Sequence, residues 1–203
     1  MPGRDRYWEI FEARRAELGY ADYLGAVQRY RSDEPSGAVG DPRLLQLASF
    51  LLDYRFADRV YPVALDAIAH LDRCGRTVIL SDGDAVFQPL KIRRSGLWDA
   101  VDGQVLIYIH KEARVADLMR RYPAPHYVLV DDKLRILAAM KSALGSHLTT
   151  VFVRQGHFAV DPDVVATYPP ADVTVERIGE LCHWDRSLAP AEPGTTHFRT
   201  EQA

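Results

Sequence analysis

The chain has 203 residues, of which 47% are hydrophobic and 26% charged, with a formal net charge of −3. These values suit one globular core, or a core with a small accessory domain, and a charge so near zero excludes nucleic acid or an acidic membrane as a partner chosen by bulk electrostatics. No apolar run approaches the ~20 residues that span a bilayer, the N-terminus MPGRDRYWEIFEARRAELGY lacks an apolar signal core, and two distant cysteines, Cys74 and Cys182, exclude a disulfide framework and suit a reducing cytoplasm.

Residues 4–31 read as helix, with Tyr7, Trp8, Phe11 and Leu18 near helical spacing and breaks at Gly19 and Gly25. The turn-rich segment SDEPSGAVGDP (32–42) predicts a loop. Asp41 as N-cap and Pro42 at the first helical position then start the helix PRLLQLASFLLDYRF. Residues 1–58 are thus expected to form a helical domain without strands.

From Tyr61 the texture changes. YPVALDAIAHLDRCG reads as a helix ended by Gly75. TVILS (77–81) is a continuous apolar run, the pattern of a strand buried on both faces. A helix near Pro89 to Gly96, a strand in QVLIYI (104–109) and a helix in KEARVADLMRRY (111–122) follow. HYVLVDD (126–132) predicts a third strand, KLRILAAMKSALG (133–145) a helix stopped by Gly145, and TTVFVRQG (149–156) a fourth strand. DVTVERIGELCHW (172–184) reads as a short strand and a terminal helix, and residues 187–203 as a disordered polar tail. Strands alternating with helices over 59–186 predict an α/β domain: a Rossmann-like parallel sheet with flanking helices. Ligands of such sheets sit beyond the carboxyl ends of the strands.

Three polar groups fall at those ends. The first is in TVILSDGDAV, where two chemistries compete: Asp82 and Asp84 as nucleophile and acid–base pair, or Ser81 as an anion-binding hydroxyl. The second is Lys111, a cation at a helix start, where the helix dipole disfavours it unless it has work to do. The third is the adjacent pair Asp131–Asp132, whose mutual repulsion a hard cation would relieve, most plausibly Mg²⁺. Lys111 offers a point charge and Ser81 a hydrogen bond to an anion, with the backbone N–H groups of Asp82 and Gly83 opening the following helix. Metal, lysine and hydroxyl around one spot make a phosphate site.

Taken in order, these residues resemble the haloacid dehalogenase-like (HAD) hydrolase superfamily over about residues 61–160. Its second motif, an apolar strand ending in Ser or Thr, is similar to TVILS with Ser81. Its third, a lysine at a helix start, is similar to Lys111 in IHKEARV, and its fourth, an acidic pair closing a strand, to Asp131 and Asp132 in VLVDDKLRIL. Ser81, Lys111 and Asp131 stand 30 and 20 residues apart. The resemblance implies a Mg²⁺-dependent phosphatase of small phosphomonoesters working through an aspartyl-phosphate. Ser81 and Lys111 would be catalytic, Ser81, Asp82, Gly83 and Lys111 phosphate-binding, and Asp131 and Asp132 metal-binding. Residues 1–58 then resemble the family's helical cap, in which Tyr7, Trp8, Tyr20, Tyr23, Arg29 and Arg31 either meet substrate or, in the plainer reading, pack and solvate the cap itself.

The family's first motif, DxD at the end of an apolar strand, should precede the helices of 1–58, and nothing there matches it. Asp82-Gly83-Asp84 mimics it, but a later strand ending in Ser or Thr should then precede Lys111, and QVLIYIHK offers neither. Ser81 is therefore the preferred reading. In the family the first-motif strand lies between those ending at Ser81 and Asp131, so its loss leaves a gap of about 9–10 Å and two unpaired edges. The expectations are a native start upstream of Met1 or a degenerate protein, and little or no turnover for this chain. A non-catalytic phosphate- or metal-binding pseudo-enzyme is the alternative. Haloacid dehalogenation is a further one, disfavoured because displacing halide from carbon needs no Mg²⁺. His110 reads as a strand-end histidine rather than an acid–base group, and Trp98 and Trp184 as packing groups.

Overall fold

The computed structural model describes residues 2–33 and 42–184. The Asp41 N-cap, most of the 32–42 loop and the 187–203 tail lie outside the described residues. The chain forms two compact units, residues 1–123 and 124–203.

In the first unit, α1 (Pro2–Leu18), α2 (Tyr23–Asp33) and α3 (Pro42–Leu52) follow the expected helical segments. Gly19, at φ +76°, ends α1 by returning its N–H to the Arg15 carbonyl (2.9 Å). Asp22 starts α2: its Oδ1 accepts the Gly25 N–H (2.8 Å), and Arg14 pairs with its Oδ2 (2.5 Å). Tyr7, Ile10 and Phe11 of α1 lie three and four residues apart and share one core with Ala26, Val27 and Tyr30 of α2 and Leu51 of α3. Phe87 belongs to the same core, its ring 4.5 Å from that of Tyr23.

The rest of this unit contains α4 (Ala64–Cys74), β1 (Ile79–Asp82), α5 (Phe87–Arg94), α6 (Leu97–Ala100), β2 (Val105–Tyr108) and α7 (Val115–Arg121). Gly75 terminates α4 as expected, bonding the Leu71 carbonyl at 3.0 Å. Strands β1 and β2 are parallel, with Ser81 opposite Ile107.

The second unit contains β3 (Tyr127–Asp131), α8 (Leu134–Leu144), β4 (Leu148–Val153), α9 (Pro162–Thr167) and β5 (Val173–Val175). Its sheet is parallel in the order β3-β4-β5. Leu134 and Leu137 of α8 pack on Phe152 of β4 and on Ala159.

The α/β class and parallel pairing match the sequence reading. Five details differ. The strands form two separate sheets rather than one, and among the described residues no strand pairs with the second edge of β1 or of β3. Double burial holds for β4, every residue of which is buried, but β1 is only half-buried throughout because it has one strand neighbour where β4 has two. The segment after His110 begins as a 3-10 turn, Lys111–Arg114, before α7, and the terminal helix is a 3-10 helix, Ile178–His183. Helix α9 has no counterpart in the sequence reading. Among the described residues no helix is long and apolar enough to cross a membrane.

Candidate functional site

The carboxyl ends of β1 and β2 bring Ser81, Asp82, Gly83 and Lys111 together. Residues Ile79 and Gly83 donate to Gln104 and Tyr108 across the ladder, at 2.9 and 3.1 Å. By alternation, Leu80 and Asp82 turn their backbone groups to the edge away from β2. Lys111 bridges the two strand ends. Its backbone N–H donates to Asp82 Oδ1 (2.6 Å), and its Nζ donates to the Leu80 carbonyl (3.3 Å). The cation is thus held at the open edge of β1, beside Ser81. Asp82 satisfies an N–H at the start of the 3-10 turn, a tertiary substitute for a local cap. This offsets the electrostatic cost that Lys111 would otherwise meet at that position.

Ser81 Oγ accepts a hydrogen bond from Gln88 Nε2 (2.8 Å). Gln88, the second residue of α5, is a site neighbour that sequence reasoning missed; its one signal was its place on the helix that follows the strand end. Gly83 differs from its expected role. Its N–H goes to Tyr108 rather than outward to an anion, and its contribution is space: a Cβ there would stand 2.7 Å from Gln88 Cβ.

Asp84 caps α5, its Oδ1 accepting the N–H groups of Val86 (2.9 Å) and Phe87 (2.6 Å), while its Oδ2 is buried with no hydrogen-bond partner. Asp82 and Asp84 therefore both serve as acceptors for backbone N–H groups. Tyr108, at the end of β2, donates to Asp117 on α7, which Arg120 and Arg121 also hold. That hydrogen bond, with the adjacent Arg121, keeps the Asp117 carboxyl below its usual range. Of the aromatic groups named for the helical region, Tyr7 is buried and donates to the Tyr23 carbonyl (3.0 Å), and Tyr23 packs on Phe11 and Phe87. Arg29 pairs with Asp33.

In the second unit Asp131 and Asp132 stand together at the end of β3. Asp131 Oδ1 accepts the Lys133 N–H (2.9 Å) at the start of α8. Burial, and then the charge of Asp131, push the Asp132 carboxyl above its usual range. Two crowded, partly desolvated carboxylates with oxygen-only donors have the chemistry a hard divalent cation needs. They supply two ligands, and among the described residues no cluster of three or more His, Cys, Asp or Glu side chains is placed to hold a metal.

No family model matches the chain, and no curated protein does. Among solved structures, a haloacid dehalogenase-like hydrolase from Burkholderia xenovorans LB400 is 65% identical with a TM-score of 0.84, over 91% of this chain and 84% of that one. A haloacid dehalogenase-like family hydrolase from Xanthomonas campestris is 15% identical with a TM-score of 0.61, over 93% and 83% of the two chains. A dehalogenase solved with an intermediate complex is 18% identical with a TM-score of 0.52, over 88% and 79%. The last two share the fold.

Proposed function

The chain belongs to the haloacid dehalogenase-like hydrolases, and on that footing we propose that its chemistry is phosphoryl transfer, with a Mg²⁺-dependent site for small phosphomonoesters. The observation that carries this reading is the double fastening of Lys111, by Asp82 at its N–H and at its Nζ by the carbonyl of Leu80, the residue before Ser81. A fixed ammonium and a hydroxyl at strand ends are suited to the non-bridging oxygens of a phosphoryl group. In the second unit Asp131 and Asp132 would hold Mg²⁺, the hard cation that suits oxygen-only donors. A cytoplasmic location goes with this substrate class.

Turnover through an aspartyl-phosphate needs a carboxylate aimed at phosphorus. Asp82 and Asp84 already accept backbone N–H groups, and among the described residues no other acid stands at the end of β1 or β2 as nucleophile. The expectation for this chain is phosphate and Mg²⁺ binding with little or no turnover. A non-catalytic phosphate- or metal-binding protein is the alternative reading, and haloacid dehalogenation is disfavoured because displacing halide from carbon needs no Mg²⁺. The decisive assay is phosphate release from an aryl phosphate with Mg²⁺, alongside calorimetric titration with inorganic phosphate. The expected result is background release, with phosphate binding that Lys111→Ala weakens by about tenfold or more. Substantial turnover that Asp82→Asn abolishes would make Asp82 the nucleophile and overturn the assignment.

A further inference from the structure

We propose that His110 is a positioning residue, its imidazole seated on Gly19, that holds the Lys111 turn in its anion-binding form. This couples the turn between α1 and α2 to the phosphate pole. It rests on the phosphate reading of Ser81 and Lys111.

His110 has φ +57°, a left-handed conformation that side-chain-bearing residues seldom adopt. Such a backbone persists where its surroundings hold it. It matters here because the next residue is Lys111, whose N–H reaches Asp82 and whose Nζ reaches the Leu80 carbonyl. The His110 carbonyl also accepts the Ala113 N–H (2.9 Å) that closes the 3-10 turn.

What holds it lies on the other side of the ring. A Cβ built on Gly19 would come within 2.3 Å of His110 Cε1 and 3.0 Å of Nε2, so the imidazole fills the space that any side chain at position 19 would need. Gly19 is not free to yield. It is left-handed itself at φ +76° and tied to Arg15. The turn it opens is pinned by Asp22, which Arg14 and the Gly25 N–H both hold. Gly25 in turn has no room for a Cβ, which would fall 1.9 Å from Asp22 Oδ2. A rigid turn therefore presents a bare glycine, and the ring of a strained residue rests on it.

The contact is tested with the full chain, inorganic phosphate as probe, and the variants His110→Ala, His110→Gly, Gly19→Ala and the Gly19→Ala/His110→Ala double. His110→Ala and Gly19→Ala are each expected to weaken phosphate binding about tenfold, and the double no more than either single, because both break one contact. His110→Gly should lose less than His110→Ala, since glycine accepts the left-handed backbone without the ring. A second measurement needs no phosphate: hydrogen exchange of the Lys111 amide, protected by Asp82 in the parent, should quicken in His110→Ala while the α2 amides stay protected. Folded single variants that match the parent in phosphate affinity and Lys111 exchange, or losses that add in the double, overturn the inference. A parent that binds no phosphate overturns the phosphate reading instead, and the Lys111 exchange still decides whether His110 positions the turn.

Discussion

Asp82 carries the first testable consequence at the scale of single residues. Its carboxylate accepts the Lys111 N–H from 29 positions along the chain, so an amide oxygen can replace it and a methyl group cannot. Asp82→Asn is expected to leave stability within a few tenths of a kcal/mol, while Asp82→Ala should cost about 1 kcal/mol, as loss of a helix cap does; urea unfolding of the two variants distinguishes them. This role was not legible in the sequence. SDGD looks like chemistry because small and acidic residues follow a buried-type strand, and the same letters suit N–H acceptors in a strand-to-helix loop. The placement of Lys111, Asp131 and Asp132 at or just past a strand end was legible, because each follows a continuous apolar run. Gln88 was not, because a glutamine in a helix carries no signal until the helix is docked on the strand.

Among elements, the helical core turns on one residue from outside the helical region. Phe87 of α5 is 2% exposed and stands among Tyr7, Phe11, Tyr23 and Leu51. Phe87→Ala should cost about 3–5 kcal/mol. It should lower hydrogen-exchange protection in α1 and α5 together, because the two helices share that core. In the second unit, Thr150 and Asp172 tie β4 to the start of β5: the Thr150 N–H and hydroxyl both reach Asp172 Oδ2, and the Asp172 N–H returns to Thr150 Oγ1. Burial raises the Asp172 carboxyl, but the hydrogen bonds from Lys141 and Thr150 outweigh it and hold the group below its usual range. A depressed carboxyl contributes its stability above the unfolded-state pKa and loses it as pH falls through the folded value. Asp172→Asn should therefore flatten the decline of the urea midpoint from about pH 4 downward. The element order was largely legible, since Gly75, Gly96 and Gly145 punctuate it and hydrophobic period separates strand from helix. Helix α9 was missed because PDVVAT is too short to show a period, and the 3-10 form of residues 178–183 because both helix types need the same side chains.

Over the whole molecule, the proposed Mg²⁺ role of the acidic pair has a thermal consequence. A cation that binds the folded chain alone raises its stability by about 2.7 kcal/mol at one hundred times its dissociation constant. Thermal unfolding should accordingly shift upward with Mg²⁺ in the parent and not in an Asp131→Asn/Asp132→Asn chain. Without the ion the double variant should melt no lower than the parent, since it no longer crowds two charges, and the amide oxygen introduced at position 131 can still accept the Lys133 N–H. The division of the strands into β1-β2 and β3-β4-β5 was not legible in the strand signals themselves. Parallel strands alone cannot reveal such a break, because TVILS has the same letters whether one partner or two flank it. The edge of β1 away from β2 is not bare: the Lys111 ammonium sits on the Leu80 carbonyl there, and a charged lysine on a strand edge blunts pairing with another polypeptide.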